Sequence, residues 1–352
     1  MKKIIKIISI SLLLLFLNFL NLVNANEKIK IGLLVPMTGE NKDLGSSVIK
    51  AVSLAVKDIN NDLIEIYPKD TATRANQTLK SAFELKQMGI KIVIGPIFHE
   101  SLTYLDEMKD LTFLSLTNKT LDLPENVISA GINSTSQFNT IKKFLNNNNL
   151  QKTLFLTPIQ NFEFEVKNGV KNSKIKIFKN FEYNTEPTKL TKQIEEITKY
   201  KIRKQNLANE IRRIQESNET NKEKKIKNLE KKYTIGNVNF DAVVISDFDE
   251  SLKSVATSLL YTDVSPKNKY FITLNQWFDE SLMEETNIQP IYYPSINKEN
   301  FDDYKIKYFN AFSQNPSHLS LLSYDLIGLV YYLSLKSDLS KMNKLFKKKN
   351  SF

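Results

Sequence analysis

The stretch Gly32–Gly45, GLLVPMTGENKDLG, sets three glycines and a cluster of hydroxyl, amide and charged groups directly after an apolar run. Phosphate-cradling loops are assembled from such parts, so spacing decides. A dinucleotide fingerprint needs G-x-G-x-x-G, and a P-loop needs G-x-x-x-x-G-K-[ST]. Here Gly39 and Gly45 are separated by Glu40, Asn41, Lys42, Asp43 and Leu44, and Ser46 and Ser47 stand where the lysine belongs. Both nucleotide loops are excluded, which leaves a strand, a turn and a helix to be explained.

Other chemistry is thinly represented. The chain has no cysteine, which removes disulfides, thiolate metal sites, a cysteine nucleophile and acylation of an N-terminal cysteine. Its two histidines, His99 and His318, lie far apart, and HESL at His99 lacks the second histidine of a zinc-protease helix. No G-x-S-x-G elbow is present. Asp247, Asp249 and Glu250 could suggest a cation site, but a solvated loop after a strand accounts for them more simply. The sequence therefore calls for no metal and no cofactor, and a non-catalytic protein is expected.

The elements that would position these groups alternate. Apolar runs Ile29–Pro36, Leu63–Thr71, Ile90–Pro96 and Leu111–Asn118 read as strands. Between them fall helices from about Ser46 to Asn60, with Val48, Val52, Ala55 and Ile59 on one face, from about Asn76 to Met88, and after Ser101. Ser46 or Ser47 would cap the first of these. The rhythm restarts with a helix near Ser136–Leu145 and strands at Thr153–Pro158, Ile175–Tyr183, Phe240–Ser246 and Lys269–Asn275. Strands apolar nearly throughout, separated by helices, indicate parallel sheets covered on both faces. The expected class is α/β: two doubly wound lobes around a central cleft, with lobe one from 26–133 plus 293–352 and lobe two from 134–292. Ligands of such sheets bind beyond the carboxyl ends of the strands.

Two segments stand outside this rhythm. Residues 1–25 join Lys2, Lys3 and Lys6 to an apolar run interrupted by Asn18 and Asn21 and ending Val23-Asn24-Ala25. That is the layout of a secretory signal cleaved after Ala25, leaving a periplasmic protein that does not span the membrane. Between Lys201 and Lys232 there are eleven Lys or Arg against five Glu, most of the net charge of +10, so the remainder is near balance and nucleic-acid binding loses its support. Leu207, Ile211, Ile214, Ile226 and Leu229 give 200–233 one thin apolar stripe, read as an inserted helical hairpin. It is either a partner-binding element, through Arg203, Lys204, Arg212, Arg213, Lys224 and Lys225, or a solvated insertion.

Taken in order, IGLLVPMTGENKDLG, AVSLAVKDIN, YPKDT, IKIVIGPIFHES, FLSLTN, NVNFDAVVISD, ITLNQW and HLSLLSYDLIGL resemble the type I periplasmic binding proteins of the leucine-binding group, and within it the bacterial penicillin-binding-protein activators. The resemblance covers nearly all of the chain beyond the signal, and no single motif is diagnostic. It implies that the Thr38-Gly39 turn edges the cleft, and that Ser101, Ser115 and Thr117 grip an amino-acid-like ligand. Each of these hydroxyls could equally be a cap or turn group. Lobe two departs from the receptor pattern. Thr157-Pro158-Ile159-Gln160-Asn161-Phe162 replaces the usual tyrosine-glycine, leaving Asn161 there, and Asp247 alone could stand in for the ammonium-binding acid. Trp277 or Tyr324 would supply an aromatic wall or be core. The short Gly-containing β segment that follows the Tyr324 helix in the family is not found before the chain ends at LFKKKNSF. Two functions follow from the resemblance: a regulator that contacts a peptidoglycan synthase or other cell-envelope protein, or the solute receptor of a transporter permease for an amino acid or amide.

Overall fold

The computed structural model describes residues 28–159, 162–275 and 281–336. The expected signal segment, Asn161, Trp277 and the terminal LFKKKNSF lie outside the described residues. Among the described residues no helix is long and apolar enough to cross a membrane.

Two compact units emerge. The first runs through Thr117, takes in Leu123–Ala130 and resumes at Tyr304; the second holds Asn118–Asp122 and Gly131–Asp303. The sequence reading puts the return to the first unit at 293, whereas the chain goes over at Tyr304, inside a helix.

In the first unit, β1 (Ile29–Val35), β2 (Ile64–Asp70), β3 (Ile92–Ile94), β4 (Thr112–Ser115) and β5 (Val127–Ser129) form one sheet, all pairings parallel, in the order β2-β1-β3-β4-β5. Helices α1 (Lys42–Ile59) and α2 (Ala75–Gln87) follow the first two strands. Val48, Val52 and Ala55 of α1 pack with Ile31, Leu33 and Ile94 on one face of the sheet. On the other face Ala82 and Leu85 of α2 meet Leu34, Val93 and Phe113. The helix expected after Ser101 is instead two 3-10 turns, His99–Leu102 and Leu105–Glu107, and β5 is an element that periodicity did not reveal.

The start of α1 shows why local capping rules were insufficient. The helix begins four residues before Ser46, and neither expected serine caps it. Ser47 has a tertiary role: its Oγ accepts the Ser317 N–H at 2.8 Å and lies 3.3 Å from the Tyr308 hydroxyl. These residues belong to α10 (Lys298–Phe312) and to the turn before α11 (Ser320–Ser334). Gly45 falls within the first turns of α1, where the helix passes so close to β1 that a Cβ would stand 1.8 Å from the Pro36 carbonyl oxygen.

The second unit repeats the pattern. Its strands β6 (Thr153–Pro158), β7 (Lys179–Tyr183), β8 (Ala242–Ile245), β9 (Tyr270–Thr273) and β10 (Ile291–Tyr292) are parallel in the order β10-β9-β8-β6-β7. Its helices are α3 (Ser134–Asn147), α4 (Glu163–Ser173), α5 (Pro187–Ile197), α8 (Asp249–Tyr261) and the short α9 (Ser281–Glu284). Numbered from its own first strand, each sheet has the order 2-1-3-4-5, so each has a topological switch point flanking its first strand.

The insertion is a helical pair, α6 (Tyr200–Glu216) and α7 (Lys222–Leu229). Leu207 and Ile214 are buried, yet neither belongs to the apolar clusters that build unit two. The hairpin closes on itself and is fixed at its root by Arg203. This residue is only 5 % exposed, so it is not a surface contact as the sequence reading expects. Its guanidinium donates from Nε to the Thr198 carbonyl at 2.9 Å, from Nη1 to Thr234 Oγ1 at 3.0 Å and from Nη2 to the Thr262 carbonyl.

Gly45→Ala forces α1 away from Pro36 and should lower stability by about 1–3 kcal/mol, the usual cost of overpacking, read from denaturant melts. Arg203→Met leaves two buried carbonyls without donors and should cost about 2 kcal/mol, whereas replacing 208–230 by a short Gly/Ser linker should leave the melting temperature of the lobes unchanged.

Candidate functional site

Open parallel sheets present ligand-binding turns at the switch point, so the groups after β1 and β3, and after β6 and β8, are the ones to weigh in each unit. In unit one, the turn after β1 is organised by Asp70 at the end of β2. Its Oδ1 accepts the Met37 N–H at 2.7 Å, the Thr38 N–H at 3.3 Å and the Ala72 N–H at 2.8 Å, and its Oδ2 accepts the Thr38 hydroxyl at 2.6 Å. Burial pushes the Asp70 carboxyl up, but these four hydrogen bonds outweigh it and hold its pKa below the ordinary value. Thr38 is thus engaged by its neighbour strand. Gly39 takes φ +83° with open space where a Cβ would be, and its carbonyl accepts the Lys42 N–H at 3.3 Å as α1 begins.

The other hydroxyl candidates of unit one divide. Ser115 Oγ, fully buried, donates to the Pro96 carbonyl at 2.7 Å and accepts the Thr117 N–H at 3.2 Å, so it cross-links the ends of β3 and β4. Thr117 is buried, and its carbonyl accepts the Ser129 hydroxyl at 2.7 Å. Ser101 differs. It lies after β3, is 1 % exposed, and its Oγ has no hydrogen-bond partner among the described residues, as is also true of His99 Nδ1 two residues earlier. Tyr324 does not stand at the strand ends. Its hydroxyl donates to Asp58 in the last turn of α1 at 2.6 Å, and its ring lies 5.3 Å from that of Tyr304, which makes it part of the α1–α10–α11 packing.

In unit two the expected ammonium-binding acid is already occupied. Asp247, after β8, is 2 % exposed. Its Oδ2 accepts the Tyr183 hydroxyl from the end of β7 and the Ser251 hydroxyl at 2.6 Å, and its Oδ1 accepts the Phe248 N–H at 2.9 Å. Burial, reinforced by the Asp247 charge, pushes the Tyr183 phenol far above its ordinary value, so it remains a donor. The receptor pattern places a tyrosine after the first strand of this lobe; here a tyrosine comes from the neighbouring strand and points inward. Local sequence does not mark Tyr183, because only the pairing of β7 and β8 on either side of β6 brings it to Asp247. Beside Asp247, Ser246 Oγ is buried without a partner among the described residues. The rim is apolar: the Phe162 and Phe248 rings meet edge to face at 5.6 Å, and Ile159 and Phe164 are exposed. Asp249 and Glu250 open α8, Glu250 pairs with Lys253 at 3.1 Å, and among the described residues no group of His, Asp and Glu could hold a metal.

On the hairpin, the six candidate cations have different fates. Desolvation holds the Arg203 guanidinium below its ordinary pKa. Arg213 forks onto Glu210, at 2.8 Å to each oxygen, and reaches Glu219 at 3.0 Å, while Lys225 meets Glu219 at 2.6 Å. This network joins the end of α6 to the start of α7. Lys204, Arg212 and Lys224 are exposed and in no ion pair among the described residues.

No family model and no curated sequence matches the chain. Solved structures do. A putative branched-chain amino acid ABC transporter protein of Rhodospirillum rubrum aligns over 92 % of this chain and 90 % of its own, with TM-score 0.66 and 10 % identity. A branched-chain amino acid ABC transporter periplasmic ligand-binding protein of Burkholderia xenovorans aligns over 92 % and 83 %, with TM-score 0.58 and 10 % identity. The C-domain of Haemophilus influenzae LpoA, a regulator of PBP1A, aligns over 92 % and 89 %, with TM-score 0.54 and 15 % identity. Together with the paired 2-1-3-4-5 sheets, these likenesses establish that the chain has the type I periplasmic binding fold.

Proposed function

We propose that this chain is an exported, non-catalytic regulator that acts by contact with a cell-envelope protein, a peptidoglycan synthase being the favoured partner, as the LpoA C-domain is a regulator of PBP1A. The observation that carries this reading is the engagement of Asp247. A receptor for a zwitterion needs an acid whose oxygens are free to meet an ammonium. Here both oxygens of the buried carboxylate serve Tyr183, Ser251 and the Phe248 N–H. Withdrawing Asp247 for a ligand would strand a buried phenol and cost about 1–3 kcal/mol before any binding began. The exposed cations Lys204, Arg212 and Lys224 offer the contact surface.

A receptor role is the second reading, supported by Ser101 and Ser246. Each buried Oγ lacks a partner among the described residues, and a polar ligand would satisfy it.

Melting in the presence of millimolar leucine, isoleucine or valine separates the two. A regulator should shift by less than about 1 °C. A receptor at a hundredfold excess over Kd gains about 2.7 kcal/mol and shifts by several degrees, an effect that Ser101→Ala should then abolish. For the regulator, charge reversal at Lys204, Arg212 and Lys224 together should weaken capture of a synthase ectodomain about tenfold at low salt with melting unchanged; undiminished capture would remove the hairpin from the interface.

A further inference from the structure

Arg203 presents an electrostatic anomaly. Buried guanidinium groups are ordinarily matched by a carboxylate, because desolvating an unmatched charge costs several kcal/mol. Here its partners are two carbonyls and a hydroxyl, all neutral. Asp263 acts on it by charge across a gap and is hydrogen-bonded to it through Thr234, whose Oγ1 accepts from Arg203 and donates to Asp263 Oδ2 at 2.6 Å. Guanidinium carries five N–H groups, so one on each Nη remains to donate to an oxyanion.

That side chain lines a pocket of about 200 Å³ at the root of the hairpin. Lys232 and Lys269 line the same pocket, and neither is in an ion pair among the described residues. Three cations against the one carboxylate of Asp263 give the lining a net charge of +2. Asn237 and Asn268 add amide groups, and Gly236, at φ +100°, leaves backbone close to the opening. The pocket is formed jointly by the chain returning from α7 into β8 and the turn between α8 and β9.

We propose that this pocket is a binding site for a small dianionic oxyanion, inorganic phosphate or a phosphate monoester, held by Arg203, Lys232 and Lys269. A dianion matches the net charge, supplies the carboxylate-like partner that the buried guanidinium lacks, and ties residues 232–238 to unit two. The root of the hairpin is thereby ordered by a ligand that makes no use of the strand-end turns.

The test is calorimetric titration of the full chain with sodium phosphate at a pH where phosphate is a dianion, with sodium chloride holding ionic strength constant. Binding at one site with Kd below about 5 mM, and slower amide exchange across 232–238 when phosphate is present, are expected. The double substitution Lys232→Gln, Lys269→Gln should weaken binding about tenfold without altering melting of the unliganded protein, since both lysines lie outside the apolar clusters. Vesicles containing phosphatidic acid, whose headgroup is a phosphate monoester, form a second arm. Vesicle binding that free phosphate competes away supports recognition of a headgroup phosphate in the pocket. Vesicle binding without any phosphate binding overturns the proposal, as does phosphate binding equally strong in the double variant or matched by chloride.

Discussion

Parallel pairing obliges each sheet to be covered on both faces, because its crossovers must lay helices over the strands they connect. Much else in this protein follows from that requirement. The central strands are apolar nearly throughout: Leu33, Leu34 and Val35 in β1, Leu154, Phe155 and Leu156 in β6, and Ala242 to Ile245 in β8 are all essentially inaccessible. Each helix is then under a packing constraint of its own. The close passage of α1 at Gly45 and the tie from Ser47 to Ser317 are two local consequences.

Covering the faces leaves the carboxyl ends of the strands as the place where polar groups collect, and two aspartates decide what those ends can offer. Asp70 gathers three N–H groups and a hydroxyl to shape the turn after β1. Asp247 gathers Tyr183, Ser251 and Phe248 to seal the end of β8. Both act as acceptors for their own unit. A carboxylate held by several donors, half-buried at Asp70 and buried at Asp247, is stable where an unmatched one is not, which makes these residues stronger as internal braces than as ligand groups. Ser101 and Ser246 are exceptions at the strand ends, with hydroxyl oxygens that the described residues leave unmatched.

Charge in the hairpin obeys the same logic at lower density. Its surplus of lysine and arginine would be self-repelling if all of it faced solvent together, yet Glu210 and Glu219 bind Arg213 and Lys225 into a network that turns the chain between α6 and α7. Such exposed pairs contribute little each, and their value lies in fixing the turn. Arg203 is the opposite case, a cation withdrawn from solvent to anchor the root. Composition treats these cations as equivalent; burial separates one anchor, a paired network and a remaining set open to contact.

The sequence alone determined the α/β class, the succession of most strands and helices, and the hairpin, because apolar periodicity reports burial directly and each of those elements spans several residues. It also showed that nucleotide loops and thiolate chemistry were absent, since spacing and composition settle such questions. The shortest elements escaped it: β5 and β10, with three and two residues, carry no periodic signal, and the turns after Ser101 are too brief for a helical repeat. Side-chain roles were decided only by tertiary structure. Asp247 reads as a free acid until β7 pairs with β6 and brings Tyr183, 64 residues away, to its carboxylate. Tyr324 reads as a binding-site aromatic until α11 packs beside α1 and aims its hydroxyl at Asp58. Arg203 reads as a surface cation until Thr198, Thr234 and Thr262 close around it. In each case the partner is remote or set by packing, and a hydrogen bond depends on position in space, which local sequence pattern does not encode.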